Sequence, residues 1–311
     1  MTIKAIDHLC LELHYGRDLI HSDLLLRLQA VLASSAPKMF ASLEVHAYER
    51  DRDRLLVDPE EATSLRDSVL ARGTSRGATF KALVAELAPP ADQRRFGSVL
   101  LRGRGAGTGG CYMSVRFDTH VPAMRMGSNW LWSNSIGMTV STARIEGSQR
   151  SSWIEQFAAD LSKHPDFLWG AAYLRQEFEA SNLDTSEGMS AIGRDVRRHL
   201  PGVFWLNIFG KPHRDLIGVQ ALRTAPAAVL DEDEHRVILR AFESPEDWPD
   251  GLGAKDQLRR HLGDDIFFDR RQPARRTRAP DFGLGPLREL PPFEVFTSDG
   301  EHFTPLPRLD G

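Results

Sequence analysis

Six residues near the N-terminus have side chains that bind metals, and they recur at alternate positions of two predicted strands. They are His8, Cys10, Glu12 and His14 in residues 3–14, and Glu44 and His46 in residues 39–49. If the two strands pair, imidazole, thiolate and carboxylate groups meet on one face of a sheet, which suits a transition metal. Charge pairing across a polar sheet face explains the same pattern without a metal. We predict no metal and no cofactor, and a metal-dependent enzyme using this face is the alternative.

The glycine-rich run from Gly103 to Gly110 resembles a phosphate-binding loop only in composition. Such loops connect a strand to a helix, whereas the residues after this run, 111–118, alternate like a second strand. A hairpin between strands at 96–103 and 111–118 is therefore predicted. The sequence contains no Gly-x-Ser-x-Gly elbow, and Cys10 and Cys111 lie inside predicted apolar strands. We therefore predict no catalytic residue and a protein that is not an enzyme.

Two charge clusters and a pair of tryptophans are candidates for binding a partner. Residues 231–250 contain eight acidic residues and two arginines, whereas residues 270–278 contain five arginines and no acid. Such runs are usually solvated surface, but an acidic patch can also steer a basic partner, and the two clusters could instead face each other within the fold. Two tryptophans at alternate positions suit either a core or an interface anchor. The predicted partner-binding residues are Asp231, Glu232, Asp233, Glu234, Glu246, Asp247, Trp130 and Trp132.

The elements that carry these residues follow a strand-helix-strand order twice. Periodicity predicts a strand, a helix and a strand at 3–14, 18–34 and 39–49, and again at 135–145, 151–163 and 166–179. A helix at 187–199 and a strand at 203–209 follow; strands at 219–223 and 235–242 and a helix at 254–262 come last. We predict an α+β fold with an antiparallel or mixed sheet, two β-α-β-like units, and helices packed on the sheet.

The predicted halves are residues 1–125 and 126–265, with one continuous domain as the alternative. Residues 266–311 form a proline-rich extended tail, because seven prolines in it disfavour regular helix. Four aromatic residues are expected to anchor this tail to the body: Phe282, Phe293, Phe296 and Phe303.

Composition excludes several classes of partner. The chain has 311 residues and a net charge of −4, so we expect no general attraction to nucleic acid or to anionic membranes. The first residues lack the features of a signal peptide, and no apolar run is long enough to span a membrane. Two cysteines in a chain of this length suggest a reducing compartment. The predicted location is the cytoplasm.

Residues 151–218 resemble the immunity proteins of bacterial contact-dependent and type VI-secreted toxins, particularly a family long catalogued as a domain of unknown function. The similar parts are the helix Trp153–His164, the strand Phe167–Phe178 with Asn182 after it, and the run Leu200-Pro201-Gly202-Val203-Phe204-Trp205-Leu206-Asn207. This run resembles the family's Pro-Gly-x-x-Trp strand, which a short helix and a glycine follow.

The resemblance implies a cytoplasmic protein that binds a cognate protein toxin and blocks it, usually by covering the toxin's active site. It carries over no catalytic residue, because such proteins act by surface complementarity. The acidic residues 231–250 would then face the toxin, since nuclease toxins are typically basic. A structural component of a secretion apparatus is a further alternative.

Overall fold

The computed structural model describes twelve stretches of the chain: residues 8–16, 27–28, 42–49, 96–104, 111–116, 123–126, 129–132, 135–141, 147–184, 190–191, 198–272 and 275–282. The predicted helix 18–34 falls within them only at residues 27–28, which are helical. Residues 3–7 of the first predicted strand lie outside them, as do Phe293, Phe296 and Phe303. Most of the predicted helix 187–199 also lies outside them. Of its described residues, Ser190–Ala191 form a short strand and 198–199 are not helical, so the helix prediction is wrong there.

Thirteen strands and five α-helices are formed within these stretches. The strands, in chain order, are β1 (His8–Tyr15), β2 (Ser42–Glu49), β3 (Phe96–Arg104), β4 (Cys111–Arg116), β5 (Ala123–Met126), β6 (Asn129–Trp132), β7 (Ser135–Ser141), β8 (Phe167–Leu174), β9 (Leu183–Asp184), β10 (Ser190–Ala191), β11 (Leu206–Gly210), β12 (Ala228–Glu232) and β13 (Arg236–Arg240). The α-helices are α1 (Gly147–Leu161), α2 (Arg175–Asn182), α3 (Lys211–Ile217), α4 (Val219–Arg223) and α5 (Leu252–Leu262). Two short 3-10 helices are Pro245–Asp247 and Asp264–Ile266.

Nine strands form one sheet in the order β12-β13-β11-β8-β1-β7-β4-β3-β2, and each described pairing in it is antiparallel. With helices packed on this sheet, the α+β prediction is confirmed. The predicted hairpin around the glycine-rich run is also confirmed, because β3 and β4 are antiparallel neighbours with Gly103 opposite Cys111.

The two β-α-β units differ in what separates their strands. β7 and β8 run parallel to each other because each pairs antiparallel with β1, which lies between them. β1 and β2 also run parallel, but three strands, β7, β4 and β3, lie between them. The repeated order of elements therefore does not correspond to a repeated placement in the sheet.

β8 is buried on both faces of the sheet, whereas β1 buries its apolar face more fully than its polar one. Alternate residues of β1, Leu9, Leu11 and Leu13, are fully buried, and α1 packs against β1. A second buried cluster contains residues of β8, β11, β13 and α5 together with Phe204 and Phe267. Burial of each such side chain stabilises the fold by about 1.5–3 kcal/mol, so these two layers fix the central strands in place.

Two predicted strands were wrong in whole or in part. The strand predicted at 166–179 ends at Leu174, and α2 follows, with Glu177 and Phe178 buried. The strand predicted at 219–223 is the helix α4. Its five residues are too few for periodicity to separate helix from strand, and Gln, Ala, Leu and Arg all favour a helix. The predicted strand 235–242 and helix 254–262 correspond to β13 and α5.

The start of the tail lies along the body of the molecule. The Arg278 amide donates to the Asp265 carbonyl oxygen at 2.7 Å. Phe282 packs on the second buried cluster, with its ring centroid 5.5 Å from that of His213. The predicted anchoring role is therefore confirmed for Phe282.

Candidate partner-binding surface

The acidic residues 231–234 lie on a β-hairpin at one edge of the nine-stranded sheet. β12 and β13 are joined by Asp233, Glu234 and His235, and the Asp233 amide donates to the Arg236 carbonyl oxygen at 3.0 Å. One carboxylate oxygen of Asp233 accepts from the amides of His235 and Arg236, at 2.8 and 2.9 Å. Side chains of this type stabilise tight turns, so Asp233 has a local structural role.

Asp231 and Asp233 also neutralise a buried cation. The side chain of Arg236 is 0% exposed, and its Nη2 donates to Asp231 Oδ2 at 2.7 Å. Its Nε lies 3.3 Å from Asp233 Oδ2. Burial of the Asp231 carboxyl opposes ionisation, but the hydrogen bond and charge of Arg236 hold its pKa below the usual range. A buried guanidinium requires such partners, because an unpaired buried charge is strongly destabilising.

Glu232 is paired as well. Its carboxylate accepts two contacts from Arg223 Nε at 3.0 Å and lies 2.9 Å from Arg223 Nη2, joining β12 to α4. This pairing lowers the pKa of Glu232 and raises that of Arg223. Because the pair lies at the surface, we expect it to contribute little to stability.

Glu246 and Asp247 belong to the turn after β13. Ser244 Oγ donates to Glu246, and the Ser244 amide donates to Asp247 Oδ2 at 3.0 Å. These contacts cap the 3-10 helix Pro245–Asp247. Five of the six predicted acidic partner-binding residues thus have an intramolecular role, which the charge pattern alone did not reveal.

Two carboxylates of residues 231–250 are far more exposed than the other carboxylates of these residues that form ion pairs. The side chain of Glu234 is 84% exposed at the hairpin turn, with His235 Nε2 at 3.3 Å. The side chain of Glu243 is 83% exposed beyond the opposite end of β13, where it shares Arg240 with Glu155. An acidic surface is therefore present, and Glu234 and Glu243 place an exposed carboxylate near each end of the hairpin. Glu246, Asp247 and Asp250 are exposed as well.

Sequence analysis missed the strand between these carboxylates. Within the described residues, the exposed large apolar side chains are Val229 and Leu230 of β12 and Leu252 at the start of α5. β12 is the outermost strand and pairs, in the described part of the chain, with β13. The sequence contains a signal that could have predicted this hairpin. It is the apolar pair Val229-Leu230, followed by an acidic turn and then by the run Arg-Val-Ile-Leu-Arg.

Trp130 and Trp132 lie on β6, which pairs with β5 in a separate two-stranded sheet. Trp132 is opposite Ala123 and Trp130 is opposite Arg125. The backbone of this segment is extended. A role of the two tryptophans in binding a partner stays a prediction.

The two strands of the metal-site alternative are not neighbours. Four strand spacings separate β1 from β2, about 19 Å at the usual spacing, so Glu44 and His46 cannot share a metal with β1. On β1, Glu12 accepts a 2.6 Å hydrogen bond from the Tyr173 hydroxyl, and His14 stacks on Trp169 with centroids 5.1 Å apart. Across the described residues, no group of three or more His, Cys, Asp or Glu side chains could hold a metal ion.

Other ionic groups of the described part also form structural contacts. Lys255 Nζ of α5 donates to the buried Glu177 of α2 at 2.8 Å and lies 5.5 Å from the centre of the Phe204 ring. The basic run turns toward nearby acids, with Arg278 Nε 3.0 Å from Asp265 Oδ2. Arg275 Nη1 lies 4.0 Å from Asp269 Oδ2. These two arginines thus hold the start of the tail, and their acidic partners Asp269 and Asp265 lie outside residues 231–250.

The chain was compared with known proteins and solved structures. The chain is similar to the Pseudomonas aeruginosa T6SS protein PA0821, with 13% sequence identity and a TM-score of 0.46, over 81% of this chain and 77% of that one. No family model matches the chain, and no curated protein matches it significantly. In the described residues, no helix is long and apolar enough to cross a membrane. The function therefore has to be inferred from the chain's own residues.

Proposed function

We propose that this chain is an immunity protein that binds and neutralises a cognate bacterial toxin in the cytoplasm. It acts by covering a surface of the toxin and does not itself catalyse a reaction. The observation that carries the proposal is the hairpin edge, where the exposed apolar residues Val229 and Leu230 lie between the exposed carboxylates Glu234 and Glu243. An apolar centre with a charged rim is the usual anatomy of a protein–protein interface.

The segment that resembles immunity proteins supports the same proposal. Residues 151–218 include most of α1 and all of β8, α2, β11 and α3. β11 pairs directly with β13, so this segment is the scaffold on which the hairpin is built. Residues that pack the scaffold and residues that bind the partner are then different sets, which agrees with recognition by surface complementarity.

Affinity capture from the native host tests the proposal. The tagged wild-type chain should retain one stoichiometric protein that is lethal when it is expressed alone. The double charge reversal Glu234→Lys with Glu243→Lys should weaken that complex by at least about tenfold and reduce its dependence on salt. The matched control reverses Glu179 on α2 and Asp256 on α5 and should bind like wild type. If the wild-type chain retains no such protein, the proposal is wrong.

A further inference from the structure

We propose that the partner binds by adding an extended strand of its own to the outer side of β12. This inference rests on the proposed function and specifies how the toxin is recognised. The added strand would carry apolar residues beside Val229 and Leu230 and basic residues at both of its ends. Strand addition uses main-chain hydrogen bonds for affinity and side-chain pockets for specificity.

The hydrogen-bond directions in β13 show which amides of β12 point outward. The Ala241 amide donates to the Trp205 carbonyl oxygen before β11, whereas the Arg236 carbonyl oxygen accepts from Asp233 beyond β12. The backbone N–H and C=O groups of successive residues point to opposite sides of an antiparallel strand. Those of Arg236, Ile238 and Arg240 therefore all point toward β12. Ala228 lies opposite Arg240, and Asp231 opposite Ile238.

The β12 residues between these hydrogen-bonded positions therefore have their backbone groups directed away from β13. Val229 lies opposite Leu239 and Glu232 opposite Val237, which are the positions where β13 points to β11. Their amides and carbonyl groups point to the outer side of β12. Leu230 is the additional residue of a β-bulge between Val229 and Asp231. The outer side thus offers main-chain groups at two positions, next to side chains 41% and 37% exposed.

Charge argues against a second copy of this chain as the occupant. Glu243 lies beyond Arg240, at the start of β12, and Glu234 follows the end of β12. In an antiparallel pair of β12 strands, Glu234 of one copy would lie near Glu243 of the other. In a parallel pair, the two Glu234 side chains would be adjacent. Like charges that face each other across strands are destabilising, whereas a strand with lysine or arginine at both ends is complementary.

A proline at position 229 tests the main-chain contact. Val229→Pro removes an outward amide, and proline is tolerated on an edge strand where its nitrogen faces outward. Val229→Ala shortens the same side chain but keeps the amide. We expect the purified protein partner captured by the wild-type chain to bind Val229→Ala about threefold more weakly, because part of the apolar contact is lost. It should bind Val229→Pro at least about tenfold more weakly than Val229→Ala, because the main-chain contact is lost as well. Both variants should unfold at temperatures close to that of wild type.

Hydrogen exchange of the full-length complex provides the second measurement. Partner binding should slow exchange at the amide of Val229, which points outward in the free chain. The Glu232 amide already contacts the Asp231 carboxylate, so its exchange should change less. Equal binding of Val229→Pro and Val229→Ala, or unchanged exchange at the Val229 amide, would overturn strand addition while leaving toxin binding intact. If the wild-type chain captures no partner, the proposed function itself fails.

Two further results would identify a different occupant and overturn the inference. A concentration-dependent dimer of the free chain that Val229→Pro abolishes would show that a second copy covers β12. Faster exchange at the Val229 amide after removal of residues 283–311 would show that the tail covers it. A monomer with unchanged exchange after tail removal, together with the expected loss in Val229→Pro, supports a partner strand.

Discussion

Arg236 determines the structural role of two of the four acidic hairpin residues, Asp231 and Asp233. Its guanidinium is fully buried, and Asp231 and Asp233 are the carboxylates beside it. Removal of these carboxylates leaves a buried charge without a partner, whereas removal of the arginine leaves two carboxylates that water can reach. The first change should therefore be much more destabilising than the second.

The double variant Asp231→Asn with Asp233→Asn should lower the free energy of unfolding by about 3 kcal/mol. Arg236→Met should cost less than half as much, because an apolar side chain of similar length fills the same space. Urea denaturation of the three proteins measures both values. Equal losses would show that the guanidinium does not depend on these carboxylates. Alanine at all of residues 231–234 would consequently test folding as much as binding.

Glu177 gives the protein a predicted pH dependence. Burial raises the pKa of Glu177 to about 7, against the opposing effects of the charge and hydrogen bond of Lys255. The native state therefore holds the proton more tightly than the unfolded chain, in which this carboxyl titrates near 4.5. The contribution of Glu177 to stability is consequently greatest below that value and declines as the pH rises to about 7.

The difference in unfolding free energy between wild type and Glu177→Gln isolates this effect. From pH 4.5 to pH 7 we expect wild type to lose about 3 kcal/mol relative to the variant. Denaturant titrations at four or five pH values in this interval measure the difference. A difference that does not change with pH would mean that Glu177 titrates alike in the folded and unfolded states.

At the scale of elements, close backbone contact fixes the junction of β11 and α3. A Cβ atom on Gly210 would lie 2.3 Å from the Phe167 carbonyl oxygen and 2.7 Å from that of Leu168. Both obstructing atoms belong to the backbone of β8, which is buried along its whole length. Any side chain at position 210 must therefore separate β11 from β8.

Gly210→Ala should lower the free energy of unfolding by about 2–3 kcal/mol, because strained contacts in a packed core cost this much. Gly253→Ala is the matched control, since a Cβ atom there meets nothing within 4 Å and alanine favours the helix α5. We expect that control to be unchanged or up to about 1 kcal/mol more stable. Thermal unfolding of both variants is the measurement, and equal stability of the two would contradict the close contact.

Elements with many periodic residues were predictable from the sequence, and short ones were not. β1, α1 and α5 have regular patterns because their buried faces are long enough to define a period. β12 has only five residues and an exposed edge, so its own sequence shows little of the alternation that predicts a strand. Its structure is determined by its pairing with β13. The candidate site was predictable as a charged region that includes Glu243. The exposed edge with Val229 and Leu230, and the position of Glu243 beside it, emerged only from the strand order.

At the scale of the whole molecule, β1 joins the two predicted halves. It pairs with β7 on one side and β8 on the other, so these two strands of the second half meet through a strand of the first. Residues 126–311 expressed alone lack this central strand. We expect that fragment to show no cooperative thermal transition, as measured by circular dichroism, whereas the full chain should show one. Cooperative unfolding of the fragment at the full chain's temperature would contradict this dependence.

The central claim is that the whole chain neutralises a toxin by binding it. The most direct measurement is the survival of cells that express the captured partner protein with and without this chain. We predict that the partner alone is lethal, that wild type restores growth, and that Glu234→Lys with Glu243→Lys restores it poorly at equal expression. A partner that is harmless alone, or one whose lethality the wild-type chain does not relieve, would contradict the claim.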